Sequence, residues 1–127
     1  MKTVWIVDDD EDMIHAVQLM LKLLDCTTRY FLSARLAAET LLGGERPDLF
    51  ILDINMPVVS GIDFLEFLRR RADFKNIPVV MLSTEASDVM VDKALALGAD
   101  AYVTKPVALD ELEEAMKKAL RVHGENK

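Results

Sequence analysis

Three short runs made wholly of apolar residues, Val4–Val7, Leu49–Leu52 and Val79–Leu82, constrain this chain more than any other feature. A strand with one wet face alternates polar and apolar residues, so a run without alternation must be covered on both faces. Two further runs, Thr27–Leu32 and Ala101–Thr104, are more polar or shorter, as suits sheet edges. Between the runs lie helix-length segments with apolar residues at helical spacing: Glu11–Leu24, Ser33–Leu42, Ile62–Arg71, Glu85–Leu97 and Leu109–Leu120. Five β-α units in alternation predict an α/β, doubly wound, five-stranded parallel sheet with helices on both faces. Right-handed crossovers with the first strand central favour the order 2-1-3-4-5. Boundary residues agree: Ser33 can cap the second helix, Ser60 with Asp63 resembles a capping box for the third, and Gly43 and Gly98 sit where left-handed C-caps belong.

At 127 residues the chain fills one ordinary domain, expected over 1–121, with 122–127 as a flexible tail and Arg121 to Lys127 frayed. A formal net charge of −7 opposes unaided nucleic-acid binding, which needs clustered Lys and Arg. Cys26 stands alone, which excludes an internal disulfide and a cysteine-built zinc site and reads as a small core hydrophobe. The N-terminus lacks a signal peptide and no apolar stretch is long enough to span a bilayer, so no membrane contact and a cytoplasmic location are expected.

The chemistry stands at the ends of the apolar runs. Asp8 and Asp9 follow the first strand, Asp53 the third, Ser83 the fourth and Lys105 the fifth, and ligands of such sheets bind beyond the strands' carboxyl ends. One carboxylate there would mean little, since Asp commonly starts turns. Three with a hydroxyl and a lysine form a set. Crowded carboxylates repel one another unless a cation neutralises them, and oxygen ligands favour Mg²⁺ or Mn²⁺. With that charge shielded, Asp53 could attack an incoming phosphoryl group whose equatorial oxygens the metal, Lys105 and Ser83 would hold.

Other readings of the acidic run fit less well. As a calcium-binding loop, Asp8, Asp10 and Asp12 would need Gly at the position of Met13 and Glu at that of Leu19. A phosphatase with an Asp nucleophile would place a second acid two residues on, followed by Thr or Val, whereas Asp10 and Asp12 lead into Ile14 in a helix. Asp10 reads as solvated charge at a helix start, where the dipole favours it.

Val-Asp-Asp-Asp-Glu-Asp (7 to 12), Leu-Asp-Ile-Asn-Met-Pro-Val-Val-Ser-Gly (52 to 61), Met-Leu-Ser-Thr (81 to 84) and Ala-Tyr-Val-Thr-Lys-Pro (101 to 106) resemble, in order, the motifs of bacterial two-component response-regulator receiver domains of the chemotaxis-regulator kind. The resemblance covers about residues 3 to 121 and implies a flavodoxin-like (βα)5 fold. It implies Asp53 as phosphoacceptor, with Lys105, Ser83 and Thr84 around it. It further implies Mg²⁺ on Asp8, Asp9, Asp53 and the backbone carbonyl of Asn55, Asp9 being the more direct ligand, and a cis Lys105–Pro106 bond. Ser83 and Tyr102 match the switch hydroxyl and switch aromatic, which remodel the face of helix 4, strand 5 and helix 5 on phosphorylation. Thr84 departs from the Ala or Gly usual in relatives and implies a narrower approach to the phosphate.

The same resemblance implies a histidine kinase or histidine phosphotransfer protein as donor and a downstream protein as target, with the chain a monomer or a phosphorylation-dependent dimer. It leaves no residues for an output domain, so a stand-alone receiver is expected, or the N-terminal receiver of a longer regulator. In the first helix, Met13, Ala16, Val17, Met20 and Leu24 form the expected core stripe, while Ile14, Leu19 and Leu23 fall off it. Relatives dock this helix on the donor's helical bundle, so Ile14, His15 and Gln18 are the expected donor-facing patch. His15 and His123 read as surface histidines. The competing functions are a phosphorylation-independent adaptor, against which the complete acidic set with Lys105 argues, and a hydrolase, for which no separate substrate pocket or second nucleophile is evident.

Overall fold

The computed structural model describes residues 2–85 and 87–123. Its elements are β1 (Lys2–Val7), α1 (Glu11–Leu23), β2 (Cys26–Phe31), α2 (Ala34–Leu42), β3 (Leu49–Asp53), α3 (Gly61–Arg70), β4 (Val79–Ser83), α4 (Asp88–Ala96), β5 (Ala101–Thr104) and α5 (Leu109–Val122). All strand pairs are parallel and the order is β2-β1-β3-β4-β5. Every residue of β3 and β4 is buried, whereas the edge strands β2 and β5 alternate in burial, as their composition implied.

Successive side chains of a strand point to opposite faces, and the core divides accordingly. Trp5, Phe50, Leu52, Val79 and Met81 pack with Ala37, Phe64, Leu68 and Ala94, from α2, α3 and α4. Val4, Ile6, Ile51, Val80 and Leu82 face the other way, onto Ile14, Val17 and Leu21 of α1 and Leu112, Met116 and Ala119 of α5. No helix among the described residues is long and apolar enough to cross a membrane.

Helix boundaries follow local hydrogen bonding. Asp10, expected only as helix-start charge, caps α1 by accepting from the Asp12 and Met13 amides. Ser33 caps α2, and Ser60 and Asp63 make the reciprocal capping box of α3. α4 begins later than expected because Ser87 caps it, while the Glu85 amide is committed to Ser83. Gly98 adopts the left-handed conformation (φ +111°), but at the end of α2 that role falls to Gly44 (φ +106°), Gly43 remaining helical.

Two expectations require correction. Ile14 is fully buried under the sheet, and Ala16 is exposed: the stripe of α1 is centred on Ile14, Val17 and Leu21, with Met13, Met20 and Leu24 flanking it. Ile14 therefore cannot face a partner. Nor is Arg121 to His123 frayed. α5 continues to Val122, and His123 Nε2 lies 2.9 and 2.8 Å from the two carboxylate oxygens of Asp100. That buried carboxylate also accepts from the Val79 amide (2.8 Å) and Arg69 Nη2 (3.1 Å), so α3, β4 and α5 are tied at the edge opposite the acidic set. The remainder of the expected tail, 124–127, lies outside the described residues.

Candidate functional site

Parallel register brings the chemistry to one sheet edge. Val7 pairs with Leu52 and Asp53 with Leu82, so Asp8, Asp53 and Ser83 leave three neighbouring strands at almost the same height. Ser83 pairs with Thr104, which places Lys105 beside them. Carboxylate oxygens of Asp8, Asp9 and Asp53 all lie within 4.8 Å of one another. Asp8 and Asp53 are buried, Asp9 is exposed, and Lys105 Nζ reaches Asp8 Oδ2 and Asp53 Oδ1, each at 3.2 Å. The Lys105–Pro106 peptide is cis.

The electrostatics follow from that geometry. Burial and the Asp8 charge push the Asp53 carboxyl from its ordinary 3.8 up to about 6, against the opposing pull of Lys105 and the Asn55 backbone. Burial disfavours the Lys105 ammonium, but the Asp53 and Asp8 carboxylates outweigh it and leave its pKa raised. One lysine thus serves two buried carboxylates, with a third alongside. Three oxygen donors in excess of local positive charge suit a hard divalent cation, so the residues present fit one.

Ser83, fully buried, accepts a hydrogen bond from the Glu85 amide at 3.0 Å, and the Tyr102 hydroxyl donates to the Glu85 carbonyl at 2.7 Å. The Glu85 peptide therefore joins the hydroxyl at the site to the partly exposed aromatic on β5. Sequence reading missed Glu85 because its part is played by backbone, to which side-chain identity gives no clue. Asn55 and Thr84, which follow Asp53 and Ser83 in the chain, are exposed. Of the expected partner patch, His15 is exposed and Gln18 half-buried, donating to Thr28 Oγ1 at 3.0 Å; the large apolar side chains that α1 exposes are Leu19 and Leu23.

The close approach of Gly61 completes the site. A Cβ there would stand 2.1 Å from the Asp53 carbonyl oxygen, and the Gly61 amide donates to the Ile54 carbonyl at 3.0 Å. The start of α3 is thereby seated directly on the strand end that carries Asp53.

A family model described as response regulator receiver domain matches residues 4–117. Transcriptional regulatory protein PrrA of Mycobacterium tuberculosis is 37% identical over 123 residues, covering 95% of this chain and 51% of that protein. The structure is similar to chemotaxis protein CheY4 of Vibrio cholerae, with TM-score 0.85 and 28% identity over 94% of this chain and 99% of that one. It is similar also to the signal receiver domain of a signal transduction histidine kinase from Syntrophus aciditrophicus, with TM-score 0.86 and 27% identity over 100% and 96%. The chain spans between 18% and 51% of the length of the curated relatives it matches.

Proposed function

This chain belongs to the response regulator receiver domain family, a family of phosphoacceptor domains and not of enzymes acting on external substrates, and from that premise we propose how it works. Asp53 takes a phosphoryl group from the phosphohistidine of a histidine kinase or phosphotransfer protein, and the chain passes the event on through the face of α4, β5 and α5. One observation carries the reading: Asp53 lies buried between Asp8, Asp9 and the Lys105 ammonium at a sheet edge open to solvent through Asp9 and Thr84.

Asp8, Asp9 and Asp53, with the Asn55 carbonyl, would hold Mg²⁺, or Mn²⁺ in its place, and the bound cation would neutralise the carboxylates and the charge on the equatorial phosphoryl oxygens. An ionised Asp53 oxygen attacks phosphorus as the P–N bond of the donor breaks, and the departing imidazole takes up a proton from solvent. Lys105, already 3.2 Å from Asp53, supplies a donor to one phosphoryl oxygen. Ser83 supplies another when its hydroxyl turns from the Glu85 amide towards the phosphoryl group.

When the Ser83 hydroxyl turns to the phosphoryl group, the Glu85 amide loses its acceptor, and the carbonyl of the same residue holds Tyr102. Tyr102 lines a cleft with Val91, Glu111 and Lys118, so the displacement is expressed on the α4-β5-α5 face. A phosphorylation-independent adaptor would have no use for a nucleophile held in this way.

Reduction of the phosphorylated protein with borohydride, followed by peptide mass mapping, tests the assignment. Homoserine at position 53 is the expected product, and a phosphoryl group on any other residue contradicts the reading. Thr84 borders the approach, and Thr84→Ala is expected to speed both phosphorylation by small donors and dephosphorylation several-fold, read from the two rates. For the donor-facing patch, Leu19 and Leu23 with His15 replace Ile14. Leu19→Glu is expected to slow transfer from the cognate kinase about tenfold or more while leaving phosphorylation by acetyl phosphate unchanged.

A further inference from the structure

The buried carboxylate of Asp100 takes no part in the chemistry above. Three elements meet on it: Arg69 Nη2 of α3 donates at 3.1 Å, the Val79 amide of β4 at 2.8 Å, and His123 Nε2, one residue beyond α5, lies 2.9 and 2.8 Å from its two oxygens. A carboxylate paired with a guanidinium can only accept, so Nε2 carries the hydrogen. Arg69 is itself fixed, donating to the Gly98, Lys75 and Ile77 carbonyls at 2.9, 3.1 and 2.8 Å. A buried polar network whose groups are satisfied is rigid. The start of α5 is tied differently. Its N-cap, Ala108, makes no side-chain hydrogen bond, and the carboxylate that accepts from the first turn, Asp110 Oδ1 from the Glu111 amide, belongs to the helix itself. Along its length α5 rests on the sheet through Leu112, Met116 and Ala119, apolar contacts that impose no direction.

We propose that His123 is the pivot of α5: phosphorylation swings the start of the helix while the clasp on Asp100 holds its end to α3 and β4. This rests on the reading of Asp53 as phosphoacceptor. Pro106 and Val107 alone separate Lys105 from Ala108, so the lysine's move from Asp8 and Asp53 to a phosphoryl oxygen pulls on the helix start. Tyr102 bears on the same half of the helix, since it lines its cleft against Glu111 and Glu114. With its end pinned, a helix of 14 residues is a lever of about 20 Å, and a small shift at Lys105 becomes a tilt of the α4-β5-α5 face instead of a slide along the sheet. His123 is thus a positioning residue: it touches no reacting group and fixes the direction in which α5 can answer.

Amide exchange and chemical shifts along α5, read by NMR on the full chain before and after treatment with acetyl phosphate and Mg²⁺, test the pivot, with intact mass recording the phosphoryl group. His123→Ala should speed exchange at Ala119–Val122 in the unphosphorylated protein about tenfold or more, while Asp100 keeps Arg69 and Val79 and the fold survives. His123→Gln, whose amide can still donate to Asp100, should restore the parent's rates. On phosphorylation the parent should shift at Leu109–Leu112 and not at Ala119–Val122, His123→Ala at both, and His123→Gln as the parent does. Exchange at the helix end that is indifferent to His123→Ala overturns the clasp. Shifts along α5 that are identical in His123→Ala and the parent overturn the pivot, since nearness to Asp53 alone would produce them. Absence of the phosphoryl mass overturns the assignment of Asp53 and the pivot with it, a failure that the mass itself tells apart from the other two.

Discussion

Gly61→Ala is expected to destabilise the domain by about 3 kcal/mol or more and to abolish phosphoryl acceptance at temperatures where the parent is active. The added methyl would meet only backbone: the Asp53 carbonyl oxygen at 2.1 Å, its carbon at 2.8 Å and the Ile54 Cα at 3.0 Å. None of these can swing aside as a flexible side chain would. The strand end is held by the Ile54 amide donating to the Leu82 carbonyl, and the helix start by the reciprocal bonds of Ser60 and Asp63. Any relief must therefore move Asp53 away from Asp8 and Lys105. Urea denaturation reads the stability, and a midpoint equal to the parent's would show that α3 is not seated on β3 as described.

Asp53→Asn is expected to have the opposite sign in metal-free protein, stabilising it by on the order of 2 kcal/mol at pH 8. The parent carboxyl ionises at about 6 when folded, against 3.8 ordinarily. Protons therefore bind the folded state more readily, so the penalty on folding builds as the pH rises from 3.8 and is complete above about 6. Below the ordinary value both states are protonated and the penalty is absent. The advantage of the Asn variant should accordingly fade as pH drops from about 6 towards 3.8, which melting curves across that range would follow. Excess Mg²⁺ should reverse the order, stabilising the parent by mass action and the variant far less. Equal stability of the two proteins at every pH would mean that Asp8 and burial do not press on Asp53.

These effects also mark what could be read from the residues alone. The apolar runs fixed which strands lie inside, because a run such as Val79–Leu82 has no polar face to give to water. Once the strands were ordered, Asp8, Asp53, Ser83 and Lys105 had to meet, since parallel strands end on the same edge. Less legible was anything decided by tertiary contact. In α1 the apolar residues extend around more than one stripe, and only docking under the sheet chooses Ile14 over Ala16 for the interior. Gly44, and not Gly43, turns the chain because Gly43, as the cap of α2, keeps a right-handed helical backbone with its amide on the Glu39 carbonyl.

His123 looked like a residue of a loose end, and nothing local in Gly-Ala-Asp at 98 to 100 announces a buried carboxylate. Asp100 is explained only by three partners distant in sequence, Arg69, Val79 and His123. The link from Ser83 to Tyr102 runs through the Glu85 peptide, which any residue could supply. Val58 was hidden for a different reason: a valine between Pro57 and Val59 suggests extended chain, yet its φ of +69° belongs to a tight turn closed by the Val59 amide on the Pro57 carbonyl.

On the mechanism proposed, Asp53 becomes phosphorylated with the help of a divalent cation held by its acidic neighbours. The most direct test is intact mass after incubation with Mg²⁺ and acetyl phosphate, beside a chelator-treated sample and Asp53→Ala. One added phosphoryl group, absent from both controls, is the predicted result. An adduct that survives Asp53→Ala or chelation would contradict the account, as would no adduct with saturating Mg²⁺ from either acetyl phosphate or the cognate kinase.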